Sequence, residues 1–410
     1  MAAKRSRLAR IFGWGVGVLV GGLALWLVVA SLIFPFEYVR RIVAWGESDV
    51  GDYLNHFPQR HLQASPQPFE FDQAPDEARV SAIFESILGV GDFDVFLESA
   101  ETQAFIVIQD DEILYERYFN GTQRDSMVTS FSVAKSFDSA MIGIAIDEGY
   151  LSGVDDPITD YLPELAERDA RFREITIRDV LMMAAGLDFT EDRLFLFNGD
   201  GPLTTYHPDQ RKIALENTQI VDPPGGYFLY NKYHPQLLGM ILERATEMSV
   251  SGYMQRKLWD PLGMEFDASW CLDSEESGFE KMEAGLNARA IDFAKFGRLF
   301  LNNGNWNGEQ LIPADWIAES TGKDPSTHRS EYYPDQFGQE IYASGNGWYK
   351  YMWYGALRDD GSYDFAAQGD RGQVIYVSPA NQLIIVRNGF EYGIPWHEWF
   401  NAFHSFADDL

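Results

Sequence analysis

Runs of β-branched and aromatic residues lie near both ends of this chain, and helical patterns fill the stretch between them. Residues 105–109 and 113–118, separated by a short polar turn, predict a β-hairpin. Two further strand-like runs, 373–378 and 383–387, come near the C-terminus, whereas helical periodicity dominates about 150–330. Strands need partners, and the strands near one end of the chain can find them among the strands near the other end, in one shared sheet. We therefore predict an α+β fold in which an antiparallel sheet is flanked by helices and carries a helical subdomain.

An uncharged apolar run, residues 11–34, sets the N-terminus apart. As a helix it would extend about 36 Å, enough to cross a hydrocarbon core of about 30 Å. More basic residues precede this run than follow it closely, which predicts a cytoplasmic N-terminus and places the bulk of the chain on the non-cytoplasmic side of the membrane. We predict one uncleaved transmembrane helix that anchors the chain. A cleavable signal peptide is the alternative, with 28–30 as a weak cleavage site.

The same pattern divides the chain into three predicted parts. Residues 1–35 form a cytoplasmic stub and the transmembrane anchor. Residues 36–75 form a juxtamembrane connector, since prolines are spaced through them. Residues 76–410 form the main folded domain.

Charge and cysteine content exclude several kinds of partner. The 62 acidic residues outnumber the 32 basic ones, and a net charge of −30 repels phosphate backbones, so we expect no nucleic-acid partner. Cys271 is the only cysteine, which excludes an internal disulfide and a thiolate metal cluster. No H-E-x-x-H motif and no G-x-S-x-G elbow are present. The first absence argues against a zinc protease and the second against an α/β-hydrolase. We expect neither a metal nor an organic cofactor.

A Ser-x-x-Lys string opens the helical pattern that follows the hairpin. Residues three apart share one face of a helix, so Lys135 can reach the hydroxyl of Ser132. A serine in the first turn also has a backbone N–H without an intrahelical partner, near the positive end of the helix dipole. Covalent hydrolases need such a hydroxyl, a base and donors for an oxyanion. A second copy, Ser320 to Lys323, lies at a predicted helix C-terminus, where we expect the serine to face a loop.

Five stretches of the chain, in the family's order, resemble motifs of the serine β-lactamases and penicillin-binding proteins, in particular their class C-related branch. They are residues 130–137, 175–187, 224–244, 285–298 and 367–377. The resemblance spans roughly residues 75–400. It is closest to the esterases and amidases that include the 6-aminohexanoate-dimer hydrolases, and it implies that 76–410 form a serine hydrolase domain.

The resemblance implies a role for each matching residue. Ser132 attacks the carbonyl of a small-molecule ester or amide and becomes acylated. Tyr230, beside Lys135, passes the proton to the leaving group and later activates water. The backbone N–H groups of Ser132 and Asp370 form the oxyanion hole. A tyrosine is a reasonable base only beside a cation, and Lys135 is the cation that the motif supplies.

Two positions depart from the family's pattern, and we assign both to substrate binding. Lys232 stands where the second motif usually has asparagine, and either adds positive charge beside Tyr230 or extends its ammonium group to solvent. Gln368 and Gly369 belong to Ala-Gln-Gly, where β-lactamases carry Lys-Thr-Gly, so the cation for a β-lactam carboxylate is missing. Both departures point away from β-lactam substrates.

Two alternative functions stay open at this point. One is a cell-wall D-Ala peptidase or β-lactamase, which the predicted location outside the cytoplasm favours. The other is a catalytically silent, membrane-tethered binding module, which the unusual Lys232 motivates.

Overall fold

The structure, a computed structural model, describes residues 14, 21–22, 25–46, 49–191, 199–324 and 346–410. The chain divides into two units. One unit holds Met1–Ser48 and Thr190–Pro208, and the other holds Asp49–Phe189 and Asp209–Leu410. All of the predicted site residues belong to the second, larger unit.

The larger unit is built around an eight-stranded sheet whose strands come from both ends of the chain. With strands numbered in chain order, the sheet runs β10 (Gly347–Lys350), β11 (Trp353–Leu357), β12 (Tyr363–Gly369), β13 (Gln373–Ser378), β14 (Leu383–Gly389), β3 (Thr102–Gln109), β4 (Glu112–Tyr118) and β2 (Asp72–Gln73). Neighbouring strands are antiparallel except β2 and β4. The two chain ends meet where β14 pairs with β3, Ile385 opposite Val107. The α+β part of the predicted fold class is confirmed.

Helices fill the middle of the chain and also lie near both of its ends. In chain order they are α1 (Phe36–Trp45), α2 (Glu77–Leu88), α3 (Phe93–Ser99), α4 (Ala134–Asp147), α5 (Pro163–Arg168), α6 (Ile177–Leu181), α7 (Asp200–Tyr206), α8 (Gln210–Glu216), α9 (Tyr233–Thr246), α10 (Val250–Met254), α11 (Ala290–Leu301), α12 (Ala314–Thr321) and α13 (Trp396–Asp409). Shorter 3₁₀ or π-helical turns are Asp52–His56, Phe131–Val133, Ile158–Asp160, Ala170–Glu174, Gln255–Trp259, Asp370–Gly372 and Pro379–Asn381.

Successive side chains of β3 enter two separate cores because a strand points alternate residues to opposite faces. Ala104, Ile106 and Ile108 pack in the core that contains α4 and α11. Phe105 and Val107 pack in the core that contains residues of α2, α3 and α13. Burial on both faces explains why the strand is a nearly continuous apolar run rather than an alternating one.

A second sheet has four strands, and its strand Val128–Thr129 comes just before α4 in the sequence. Its order is β1 (Gln59–Leu62), β6 (Ala268–Cys271), β7 (Leu286–Ala288) and β5 (Val128–Thr129). A short hairpin of β8 (Asn305–Trp306) and β9 (Glu309–Gln310) follows α11. Both β1 and β2 lie within residues 36–75, the predicted connector, and both pair with strands of the larger unit. The three-part division of the chain stays a prediction.

The smaller unit holds α1 against α7 and its flanking residues. The guanidinium of Arg41 donates to the carbonyl of Tyr206 at 3.1 Å, and the hydroxyl of Tyr206 donates to the carbonyl of Gly46 at 2.6 Å. Arg41 is buried and also pairs with Glu37 one turn earlier, at 2.9 Å. These polar contacts bridge two segments that are distant in the sequence.

The predicted transmembrane helix is wrong. In the part of the chain that the structure describes, no helix is long and apolar enough to cross a membrane. Residues 11–13, 15–20 and 23–24 of the predicted span lie outside the described residues. The helix that follows this run, α1, carries charged residues. The predicted membrane anchoring, the membrane as a partner and the non-cytoplasmic location of the catalytic domain all depended on that helix and are corrected with it.

Candidate active site

The predicted nucleophile lies in the single 3₁₀ turn Phe131–Val133, between β5 and α4. The N–H of Val133 donates to the carbonyl of Ser130 at 3.2 Å and is the first N–H to take part in the hydrogen bonds of the turn. The N–H of Ser132 comes one residue earlier, at the position where N–H groups have no partner within a helix. The N–H of Ser130 donates to Leu286 of β7 at 2.8 Å and ties the turn to the smaller sheet. Ser132 therefore stands at the entrance of α4, as the sequence predicted.

Phe131 marks this turn as a strained one. Its φ of 41° lies in the left-handed region, which a non-glycine residue adopts only where the surrounding structure holds it. Its ring packs edge-on against Tyr53 at a centroid distance of 5.1 Å. The sequence offered no sign of this backbone conformation, because phenylalanine has no preference for it.

Lys135 follows Ser132 by three residues, about one helical turn, and its side chain reaches the serine hydroxyl. Its Nζ donates to Ser132 Oγ at 2.8 Å and to the backbone carbonyl of Glu283 at 2.6 Å. The side chain of Glu283 in turn accepts from Lys281 Nζ at 2.6 Å, and both of those residues are buried. Sequence reasoning identified Lys135 but missed Glu283, because it contributes a backbone carbonyl that any residue could supply.

Tyr230 lies beside the ammonium group of Lys135. The Nζ atom is 5.0 Å from the centroid of the Tyr230 ring, within the range of a cation–π contact. The ring of Tyr349, on β10, lies 6.2 Å away, and Phe228 contacts both tyrosines. The structure thus brings the hydroxyl, the ammonium and the phenol ring predicted from three motif positions into one region of the larger unit.

The two residues after Tyr230 differ in their placement. Asn231 is buried, and its side-chain oxygen accepts from the N–H groups of Tyr233 at 3.1 Å and His234 at 3.3 Å. It therefore satisfies donors at the start of α9. Lys232 is the residue before α9 and is partly exposed, and its role in substrate binding stays a prediction. His234 is enclosed, and burial lowers its pKa to about 3, so it is neutral at physiological pH.

The end of β12 approaches the serine turn closely. A Cβ atom on Gly369 would lie 2.5 Å from the carbonyl oxygen of Ser130 and 3.0 Å from the backbone nitrogen of Ser132. No side chain fits at this position, which explains the glycine. Gln368, one residue earlier on β12, is buried. The structure therefore brings Gly369 to Ser132, while the substrate-binding roles of Gln368 and Gly369 stay predictions.

Asp370 begins the 3₁₀ turn Asp370–Gly372 directly after Gly369. Its carboxylate accepts from the N–H of Arg371 at 2.9 Å and from the hydroxyl of Tyr392. Arg371 and Gly372 follow with φ values of 57° and 75°, two left-handed residues in succession. The backbone N–H of Asp370 is one residue from the point of closest approach to Ser132, and its part in an oxyanion hole stays a prediction.

A buried carboxyl group follows Lys135 by one turn of α4. Burial raises the pKa of Asp138 well above its usual range, and the charge of Lys135 acts in the opposite direction. Asp138 is fully enclosed, so its neutral form is favoured.

Among the described residues, no group of His, Cys, Asp and Glu side chains could hold a metal ion.

Comparison with known proteins places this site in a family. The family model described as Beta-lactamase matches residues 96–388, well over half of the chain. This chain belongs to the beta-lactamase family. The predicted resemblance and the prediction of a hydrolase of this family are both confirmed.

Individual relatives of this beta-lactamase-family protein agree with that assignment. The 6-aminohexanoate-dimer hydrolase of Paenarthrobacter ureafaciens is 25% identical over 311 residues, 72% of this chain and 74% of that protein. A Bacillus anthracis protein named as a 6-aminohexanoate-dimer hydrolase superposes with a TM-score of 0.71 at 21% identity, covering 92% of this chain and 93% of its own. A class C beta-lactamase solved with cefoxitin has a TM-score of 0.58 at 14% identity, covering 82% and 100%. These structural similarities show a shared fold.

Proposed function

We propose that this protein hydrolyses carboxylic esters or small amides through an acyl-enzyme on Ser132. The contact between Lys135 Nζ and Ser132 Oγ at 2.8 Å is the observation that carries the proposal. Two further observations support it: the ring of Tyr230 lies 5.0 Å from the same ammonium group, and Gly369 packs against the backbone of the serine turn.

Acylation uses the three side chains together. The phenolate of Tyr230 takes the proton of Ser132 as Oγ bonds to the carbonyl carbon and the carbonyl electron pair moves to its oxygen. Lys135 stays charged and favours both the phenolate and the developing alkoxide. The N–H groups of Ser132 and Asp370 donate to the new oxyanion. When the tetrahedral intermediate collapses, the bond to the leaving group breaks and Tyr230 returns the proton to that group.

Deacylation repeats these steps with water. The phenolate of Tyr230 takes a proton from a water molecule, whose oxygen bonds to the acyl carbon. The bond between Ser132 Oγ and that carbon then breaks, Ser132 regains its proton from Tyr230, and the carboxylic acid leaves. These steps require only the chain, its substrate and one water molecule.

Two features support a simple ester or linear amide as the substrate class. Ala367 stands where β-lactamases have the lysine of Lys-Thr-Gly, so no cationic side chain at that position pairs with a β-lactam carboxylate. A curated relative carries the name of a 6-aminohexanoate-dimer hydrolase, which favours small linear amides as well as esters.

Active-site labelling of the full-length chain tests the proposal. The purified protein should hydrolyse a short-chain p-nitrophenyl ester, and a fluorophosphonate probe should modify Ser132, identified by peptide mass spectrometry. Ser132→Ala should lose the label and at least about 10³-fold in kcat. Ser320→Ala is the matched control, because Ser320 begins the second Ser-x-x-Lys string, and it should keep both the label and the activity.

Three results would contradict the proposal or favour another function. Full activity of Ser132→Ala, or modification of Ser320, would refute Ser132 as the nucleophile. Faster turnover of a chromogenic cephalosporin or a D-Ala-D-Ala peptide than of the ester would favour the cell-wall alternative. Ligand binding without modification of any serine would favour a catalytically silent module.

A further inference from the structure

A fully buried arginine lies under the turn that carries Asp370. Arg387, on β14, donates from Nη1 to the carbonyls of Gly372 at 2.8 Å and Arg371 at 3.3 Å. Its Nη2 donates to the carbonyls of Ala100 at 3.1 Å and Glu391 at 3.1 Å. One guanidinium group therefore joins three separate chain segments through backbone carbonyls.

Nothing in the immediate surroundings of Arg387 neutralises its charge. Within the described residues no carboxylate forms an ion pair with it, and its guanidinium carbon lies 4.3 Å from the centroid of the Trp399 ring. Burial lowers its pKa to about 9. An enclosed cation without a counter-ion is costly, so the hydrogen bonds to the four carbonyls must offset a large desolvation penalty. Its planar fork of five donors suits several carbonyls at once, which a lysine ammonium cannot match.

Two glycines leave space for the guanidinium. A Cβ on Gly372 would overlap Nη1, and a Cβ on Gly389 would lie 2.6 Å from the same atom. Gln373 completes the arrangement, since its side-chain amide donates to the carbonyl of Gly389 at 2.7 Å and accepts from Asn388 at 2.9 Å. The packing at this point is therefore built around the position of one guanidinium group.

The turn Asp370–Gly372 is held from two sides. On one side Gly369 touches the backbone of Ser130 and Ser132, and on the other Arg387 binds the last two carbonyls of the turn. Between them Arg371 keeps a left-handed φ of 57° that is unfavourable for a non-glycine residue. Loss of the hold by Arg387 would let the turn relax and move the peptide groups next to Ser132.

We propose that Arg387 is a positioning residue for the oxyanion hole: by binding the carbonyls of Arg371 and Gly372, it keeps the N–H of Asp370 directed at the substrate carbonyl oxygen. The inference rests on the proposed function, since it assigns to that N–H a role in the same reaction. Arg387 does not touch the substrate. It acts on the transition state through the backbone of the turn.

A matched ester and thionoester with the same acyl group provide the test. Sulfur is larger than oxygen and a weaker hydrogen-bond acceptor, so the ratio of the two kcat/KM values reports on the oxyanion hole. Loss of folded enzyme lowers both values equally and leaves the ratio unchanged. Arg387→Lys keeps the charge but cannot bridge the carbonyls. We expect its kcat for the ester to fall about 10- to 100-fold with little change in KM, and the ester-to-thionoester ratio to fall about tenfold.

Arg358→Lys is the control. Arg358 is another buried arginine next to the same sheet, and it pairs with Asp364 and Asp408 rather than with the turn. This variant should lower thermal stability and leave the ratio within about twofold of wild type. Gly389→Ala is the second test variant, because its methyl group would lie 2.6 Å from Nη1 of Arg387 and 2.9 Å from the carbonyl oxygen of Arg371, and so would disturb the contact between these groups without removing the guanidinium. It decides the question if Arg387→Lys is not recovered folded.

The outcomes separate the inference from the proposed function. A wild-type protein that neither hydrolyses the ester nor labels at Ser132 removes the proposed function and the inference with it. An active wild type with an unchanged ratio in Arg387→Lys, or in Gly389→Ala where that variant decides, overturns the inference alone. A ratio that falls equally in Arg358→Lys also overturns it, because the effect would then follow from general destabilisation.

Discussion

The chain contains two Ser-x-x-Lys strings in different structural settings. In the first, Ser132 stands in the turn that leads into α4, and Lys135 donates to its hydroxyl at 2.8 Å. In the second, Ser320 lies in the last turn of α12, which ends at Thr321, so Lys323 follows the helix rather than sharing a face with the serine. The same spacing brings the two side chains together where the serine turn continues directly into the helix of the lysine, and not where the lysine follows the end of the helix.

The backbone differs between the two strings as well. Ser320 is buried, and its hydroxyl donates to the carbonyl of Ile317 at 3.3 Å. The predicted helix C-terminus is there, but the serine does not face a loop as expected. In the last turn of a helix the N–H groups already have partners, whereas those in the first turn do not. Position within the helix therefore decides whether such a string can stabilise an oxyanion.

Removal of the two lysines should give the largest difference between the strings. Lys135→Met removes the cation that favours the phenolate and the alkoxide, so we expect kcat/KM for the ester to fall about 10³-fold. Lys323→Met should change it less than twofold. Steady-state kinetics on both purified variants provides the measurement. Comparable losses in the two variants would mean that the contact of Lys135 with Ser132 has no catalytic significance.

Glycine substitutions beside each string should give a smaller difference. A methyl group on Gly369 would collide with Ser130 and displace the serine turn, so Gly369→Ala should cost about 10²-fold in kcat. A methyl group on Gly322 would lie 2.5 Å from the carbonyl oxygen of Ala318. Gly322→Ala should therefore lower the stability by about 1 kcal/mol or more and keep the activity. Kinetics and urea unfolding distinguish the two effects, and a fully active Gly369→Ala would contradict the close approach.

The smallest expected effect concerns stability against pH. The folded state raises the pKa of Asp138, so it binds a proton that the unfolded chain releases above about pH 4. The contribution of Asp138 to the free energy of unfolding therefore becomes less favourable as the pH rises from about 4. Asp138→Asn should resemble wild type at pH 4 and be more stable at pH 7 by on the order of 1 kcal/mol, measured by urea unfolding.

Asp315, an exposed acid in the first turn of α12, is the control for that experiment. Asp315→Asn should change the stability by no more than about 0.5 kcal/mol at either pH. A wild type that gains stability relative to Asp138→Asn between pH 4 and pH 7 would instead mean that Asp138 is ionised and paired in the folded state.

Patterns within short stretches predicted well where the structure depends on local geometry. The strand pattern of 105–109 and 373–387 predicted a sheet shared by both chain ends, and β3 and β14 pair as expected. The apolar run at 11–34 misled, because no helix among the described residues has the length and apolar character of a membrane span. The described helical stretch at 25–33 ends before Pro35, whose ring disfavours a helical conformation in the residue before it.

The α+β order of elements, the family motifs and the reach of Lys135 to Ser132 could be predicted from the sequence alone, because strand alternation and helical spacing are local properties. Three contacts became visible only in the folded chain: the carbonyl of Glu283 accepts from Lys135, Gly369 touches the serine turn, and Arg387 binds the turn after it. These contacts join residues far apart in the chain through backbone atoms, which every amino acid possesses and which therefore leave little trace in the sequence.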